Sequence, residues 1–189
     1  LEWIDDEKLL EELGPYHTYY LKRNVYINPQ DIIALSRELS PSKYERLKKI
    51  VNKEGWQNVH VTDFHLGFLP NGKLIVLSGG NHRSALSKEM KIPKVLASVV
   101  VLVFEKDMNE SERKAINLAS EKYFYFYRKS IQYSKIRNKT NNIVLEKTAD
   151  IFIKAYSLWM DKLHNNAQKQ IRQVIDRIGY QFLDTLEHD

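Results

Sequence analysis

The period of the apolar positions changes near residue 105. Before it, apolar residues come in short runs bounded by Gly, Pro and Asn; after it, they recur at steps of three and four. The first fifteen residues read as a short helix stopped at Gly14-Pro15. Asn24-Val25-Tyr26-Ile27 reads as a strand broken by Asn28-Pro29, and Ile32, Ile33, Leu35 and Leu39 are expected to mark a short helix. Ser40-Pro41 opens another helix, with Pro in the first turn, where its missing N–H costs nothing. Tyr44, Leu47, Ile50 and Val51 keep helical spacing, and Gly55 ends that helix. Val59, Val61 and Phe64 predict a second strand, and Pro70-Asn71-Gly72 a hairpin turn. Leu74-Ile75-Val76-Leu77 does not alternate with polar residues, so it predicts a third strand buried on both faces. Residues 81–91 follow as a helix ended by Ile92-Pro93, and residues 95–104 as an apolar strand.

From Asn109 onward the pattern is helical. Leu145, Ala149, Phe152, Tyr156, Trp159 and Leu163 form a stripe, widened by Val144, Ile151, Ala155 and Leu158. So broad a stripe predicts a largely buried helix. His164-Asn165-Asn166 is expected to interrupt it, and Ile171, Val174, Ile175, Ile178 and Phe182 mark a last amphipathic helix. The long helices are expected to pair antiparallel, on the α/β part or on a second subunit. The fold class is therefore α+β: an N-terminal helical arm over residues 1–22, a small mixed-sheet α/β domain over 23–105, and a helical C-terminal region over 106–189.

Composition narrows the class. Apolar residues make up 43% and charged residues 28%, as in an ordinary folded globular chain. No apolar run approaches the roughly 20 residues that span a bilayer. The acidic start, Leu1-Glu2-Trp3-Ile4-Asp5-Asp6-Glu7, does not read as a secretory leader, and without a Met it reads as a trimmed start. There are no cysteines, which excludes disulfides, thiolate nucleophiles and Cys-based zinc sites. A cytoplasmic location is the expectation. The net charge of +5 is concentrated: residues 111–141 carry eight Lys/Arg against Glu112 and Glu121. That stretch reads either as a solvated helix face or as a contact for an acidic partner such as nucleic acid.

The chemistry is concentrated at Ser78-Gly79-Gly80-Asn81-His82-Arg83-Ser84, where a strand meets a helix through two glycines. A helix N-terminus presents free N–H groups and partial positive charge, and glycines let a phosphate approach the backbone. Arg83 in the first turn opposes the helix dipole, as His82 would if protonated, a conflict that a bound anion would remove, with Arg83 as a forked donor. Asn81 is a cap or a ligand contact. The alternative is a tight turn with an exposed arginine.

The segment Gly79-Gly80-Asn81-His82-Arg83, following a strand and leading into Ser84-Ala85-Leu86, resembles the signature of the ParB/sulfiredoxin superfamily. Sulfiredoxins carry Gly-Gly-Cys-His-Arg there, free serine kinases Asp-Gly-His-His-Arg, and chromosome-partition ParB proteins Gly-Glu-Arg-Arg. Upstream, Ile27-Asn28-Pro29 resembles the family's strand end, and Gly55-Trp56-Gln57-Asn58-Val59 its Gly-x-x-Gln-Pro-Ile box without the Pro. The resemblance covers residues 23–104. It implies a ParB/sulfiredoxin-like fold and a nucleotide cofactor, ATP or CTP with Mg²⁺, held at residues 78–84. Asn81 stands at the sulfiredoxin cysteine position, which excludes that chemistry, and Gly79 stands where the serine kinases have Asp.

Other candidates follow from residue type. Asp31, Glu38 and His82 are candidate catalytic groups; in phosphotransfer a carboxylate orients the attacking hydroxyl. Asp63 is a candidate Mg²⁺ ligand or a turn cap. No metal-ligand pattern of histidines is present. The run Tyr123-Phe124-Tyr125-Phe126-Tyr127 before Arg128-Lys129 suits base stacking on single strands, although its spacing favours a core-packed helix. Arg128, Lys129, Lys135 and Arg137 are the nucleic-acid candidates. Three functions are expected in turn: a nucleotide-binding domain acting on or near DNA in a partition, regulatory or nuclease-like role; a small-molecule phosphotransferase; and a non-catalytic module that self-associates through its C-terminal helices.

Overall fold

The computed structural model describes residues 3–21, 23–58, 64–180 and 183. Two compact units emerge: residues 1–107 with 175–189, and residues 108–174.

The first unit is built on a seven-stranded mixed sheet. Its strands are β1 (Ile4–Asp5), β2 (Tyr16–Tyr20), β3 (Val25–Ile27), β4 (Ile32–Leu35), β5 (His65–Phe68), β6 (Leu74–Val76) and β7 (Val95–Phe104). The order is β1-β4-β6-β5-β7-β2, and β3 also pairs with β7. β1, β4 and β6 run parallel, β5 and β6 form the antiparallel hairpin predicted at Asn71-Gly72, and β7 runs parallel to β5. β2 and β3 both lie antiparallel to β7, facing successive stretches of it. Helices α1 (Asp6–Leu13), α2 (Pro41–Glu54) and α3 (Asn81–Glu89) connect the strands.

Local signals explain most of these boundaries. Asp5 caps α1 by accepting from the Lys8 N–H at 3.2 Å, and the Gly14 N–H closes it on Leu10. Pro41 opens α2, and the Gly55 N–H donates to the Val51 carbonyl. β7 is buried on both faces from Val99 onward, so its apolar run does not alternate. On one face Val100, Leu102 and Phe104 join Ala34, Leu69 and Ile75, with Leu9, Leu10 and Leu13 of α1 packed against them. Gly67 lets that layer close: a Cβ there would meet Leu102 Cδ1 at 2.9 Å. Tyr180, in the same unit, donates to the Leu102 carbonyl at 2.5 Å, and burial pushes its hydroxyl pKa up.

Two expectations in this unit fail. Residues 32–35 form β4, not a helix. Periodicity alone does not separate a short apolar run of this kind from a helix turn, but Ile32 and Ala34 are fully buried and β4 pairs in parallel with β1 and β6. The N-terminal arm is not wholly helical either, because α1 is followed by β2. The segment Tyr16-His17-Thr18-Tyr19-Tyr20 has high strand propensity, and β7 offers it a free edge.

The second unit is a pair of long helices. α4 (Glu110–Lys139) starts on a capping box, Asn109 and Glu112 bonding reciprocally. α5 (Ile143–Ile178) runs without a break through His164-Asn165-Asn166, contrary to expectation. Each of these residues costs only about 0.5 kcal/mol relative to alanine, too little to stop a long helix. Phe126 packs on Tyr156 and Trp159, and Tyr133 on Phe152 and Tyr156, so the two helices run antiparallel. The expectation that the stripe beginning at Val144 is largely buried does not hold. Ala149 is buried, but Val144, Leu145, Ile151, Leu158 and Trp159 are exposed. The aromatic run is helical, as expected, yet Phe124, Tyr125 and Tyr127 are exposed and only Phe126 and Tyr123 are half-buried.

Candidate functional site

β4 and β6 run parallel, so their carboxyl ends open on one edge of the sheet. In open α/β sheets this edge is where ligands bind. Two segments leave it: residues 77–80 into α3, and residues 36–40 into α2.

Gly80 is the N-cap of α3, with φ 94° and ψ 0°. This left-handed backbone favours glycine, and here space requires it as well. A Cβ would lie 2.5 Å from Phe64 Cδ2 and 3.2 Å from Phe64 Cα. Gly80 brings no capping side chain, and the first turn of α3 has no acidic residue. Before it, Ser78 is exposed, its Oγ 3.3 Å from His65 Nδ1.

The next three side chains each hold a different neighbouring segment. Asn81 is buried; its Oδ1 accepts from the Ser36 N–H at 2.9 Å, and its Nδ2 donates to Ser36 Oγ at 3.1 Å. It is neither the cap nor an exposed contact, because Gly80 takes the cap position. His82 Nε2 accepts from the Ser40 N–H at 3.0 Å, which places the ring proton of the neutral tautomer on Nδ1. Arg83 donates to the Gln57 carbonyl at 2.6 Å, with its guanidinium over Trp56 at 5.2 Å and Phe64 at 5.9 Å. The arginine's opposition to the helix dipole is thus offset within the fold by a carbonyl and two ring faces. Ser84 Oγ is buried with no hydrogen-bond partner among the described residues. The motif is therefore a hub. It ties the end of β4, the start of α2 and the segment after α2 around one helix N-terminus.

A cavity of about 620 Å³ adjoins this hub, a volume in the range of small-ligand sites. Its walls are residues 3–7 and 35–39. The second wall hangs from Asn81 through Ser36 and from His82 through Ser40. Glu38, Asp5, Asp6 and Glu7 supply carboxylates, Arg37 one cation, and Trp3 and Leu39 apolar surface.

The structure thus brings Glu38 into the cavity wall that Asn81 and His82 hold. It does not bring Asp31 there. Asp31 precedes β4, at the opposite end of that strand, and accepts from Lys73 Nζ at 2.8 Å. Asp63 lies outside the described residues, as do Val59 and Val61. Among the described residues no cluster of three metal-ligating side chains occurs. The sequence reading missed Ser36, Ser40 and the acidic wall at residues 5–7, since nothing local marks them.

On α4, Phe124, Arg128, Ile131 and Lys135 follow at steps of four, three and four and are all exposed. Lys129 lies over the Tyr125 ring at 5.8 Å. Arg137 pairs instead with Asp150 of α5, at 3.4 Å. No helix among the described residues is long and apolar enough to cross a membrane.

No known family model, curated protein or solved structure matches the chain. The functional reading therefore rests on this geometry and on the motif.

Proposed function

We propose that the α/β unit binds the phosphate end of a nucleotide at the N-terminus of α3, and that the chain acts on or near DNA. The observation that carries the first part is Gly80. As the N-cap of α3 it brings no capping side chain, and the first turn holds no acidic residue, so no side chain caps the helix N–H groups that a phosphate would meet. The cavity walled by residues 3–7 and 35–39, tied to α3 through the Ser36–Asn81 bonds, has a volume in the range of small-ligand sites. The resemblance of residues 79–83 to nucleotide-binding ParB/sulfiredoxin-like motifs supports the same reading. In it, the backbone of Gly79, Gly80 and Asn81 receives the anion, while the Asn81, His82 and Arg83 side chains hold the surrounding segments in place. ATP, CTP and GTP are titrated calorimetrically with and without Mg²⁺, and amide resonances are followed. Saturable binding with the largest shifts at residues 79–83 is expected. No binding, or shifts centred elsewhere, overturns the proposal.

Support for the DNA part comes from α4. Its exposed Phe124 and Tyr125 suit base stacking, and Arg128, Lys129 and Lys135 suit phosphate contacts. Reversing charge at Arg128 and Lys135 should flatten the salt dependence of single-strand binding, the log–log slope falling by about 0.7 for each phosphate no longer neutralised. An unchanged slope removes this surface from the reading.

The carboxylates of the cavity wall favour a second reading, phosphoryl transfer to a small hydroxyl acceptor. Glu38 would then orient the acceptor hydroxyl, and Glu38→Gln would abolish transfer in a panel of hydroxyl acceptors. Failure to phosphorylate any acceptor eliminates it.

A further inference from the structure

The exposed apolar residues of the helical unit are not scattered. Val144, Ile151 and Leu158 stand seven residues apart on α5 and are 67%, 67% and 72% exposed. Thr148, Ala155 and Lys162 each follow one of them by four residues, so the steps alternate four and three. This is the spacing of a coiled-coil seam, sustained over about 27 Å of helix. It is not the face that meets α4, where Phe152, Tyr156 and Trp159 contact Phe126 and Tyr133. Helix α5 therefore carries two apolar faces, of which α4 covers one.

We propose that a second copy of this chain covers the other, with the two α5 helices antiparallel about a dyad near residue 153. The residue sizes favour this occupant. In the antiparallel register Leu158 opposes Thr148 of the copy, Ile151 opposes Ala155, and Val144 opposes the stem of Lys162. Each bulky side chain meets a small or flexible one, and the layers have even thickness. A parallel pair would set Ile on Ile and Ala on Ala, alternating crowded layers with voids. Charge agrees: flanking the seam, Lys147 comes to face Asp161 of the copy, twice by symmetry. The only like pair is Lys154 with its own copy at the dyad.

The test is the oligomeric state of the full chain over a concentration series, by sedimentation equilibrium. Wild type is expected to be a dimer. Ile151→Glu/Leu158→Glu is expected to be a monomer with unchanged helical circular dichroism, because both side chains are exposed within one chain. Lys147→Glu should raise the dimer Kd about tenfold by turning both ion pairs into repulsions, and Lys147→Glu/Asp161→Lys should restore it. Because the chain has no cysteine, Lys154→Cys should give a single disulfide-linked dimer under mild oxidation. A chain that stays monomeric at every concentration overturns the proposal and leaves the seam to a different partner. A dimer indifferent to Ile151→Glu/Leu158→Glu, or a charge swap without rescue, overturns it as well.

Discussion

Replacing Gly80 with alanine separates backbone strain from crowding at the start of α3. At φ 94° an L-residue pays about 1–2 kcal/mol for the left-handed conformation. Crowding adds to this, since the new Cβ would sit 2.5 Å from Phe64 Cδ2, 3.3 Å from Cε2 and 3.2 Å from the Phe64 backbone. Overpacking of this kind costs about 1–3 kcal/mol. The expected loss is therefore about 2–5 kcal/mol, a large share of a stability of about 5–15 kcal/mol. Gly179 supplies the control. Its φ is also positive, at 74°, but nothing lies within 4 Å of a Cβ there, so Gly179→Ala carries the backbone cost alone. Urea unfolding followed by tryptophan fluorescence measures both, since Trp3 and Trp56 lie in the same unit as Gly80 and Gly179. Adding Phe64→Leu removes the ring atoms from the clash, so it should recover about 1 kcal/mol or more in the Gly80→Ala background compared with wild type. If Gly80→Ala costs no more than Gly179→Ala, or if Phe64→Leu behaves alike in both backgrounds, the crowding argument is refuted.

Three further outcomes follow from the same region. Asn81→Ala should destabilise by about 1–3 kcal/mol in the same urea assay, because the Ser36 N–H and hydroxyl are left without their buried partner; a cost near zero would mean that water replaces the amide. Arg83→Lys keeps the charge but removes the planar guanidinium from over Trp56 and Phe64, for an expected cost of about 1 kcal/mol and altered Trp56 emission; unchanged emission and stability would show that the rings do not hold the cation. Glu89 accepts from Lys48 at 2.6 Å and from the Tyr44 hydroxyl, and these bonds hold its carboxyl below the usual range, the Lys48 bond foremost. Its folded pKa is thus below its unfolded one. The stability it brings is present above the ordinary carboxylate range and is lost as pH falls through the folded value. The urea midpoints of wild type and Glu89→Gln should therefore differ at neutral pH and converge in acid; a pH-independent gap would contradict this account.

The motif was legible because its requirement is local. Two glycines between an apolar run and a helix start signal close backbone approach whatever surrounds them. The partners of its side chains were not legible. Ser36 and Ser40 lie more than forty residues from Asn81 and His82, and only the pairing of β4 beside β6 brings them to the same edge. Arg83 shows the same limit. In the sequence its charge asks for an anion, whereas Trp56, Phe64 and the Gln57 carbonyl surround it in the fold.

By itself, the sequence determined the elements whose boundaries rest on local chemistry. Gly14 and Gly55 end α1 and α2, Pro41 begins α2, Asn71-Gly72 turns β5 into β6, and Asn109 with Glu112 begins α4. It also determined residues 95–104 as an apolar strand, and β6 as a strand buried on both faces, since its apolar run does not alternate with polar residues. Tertiary structure decided the rest. A run such as Ile32-Ile33-Ala34-Leu35 fits a helix turn or a central strand equally well, and only the hydrogen bonds offered by β1 and β6 select the strand. Periodicity likewise marked an apolar stripe on α5 but not what covers it. Burial belongs to a pair of surfaces, and α4 reaches only the face with Ala149, Phe152 and Tyr156, leaving Val144, Ile151 and Leu158 exposed.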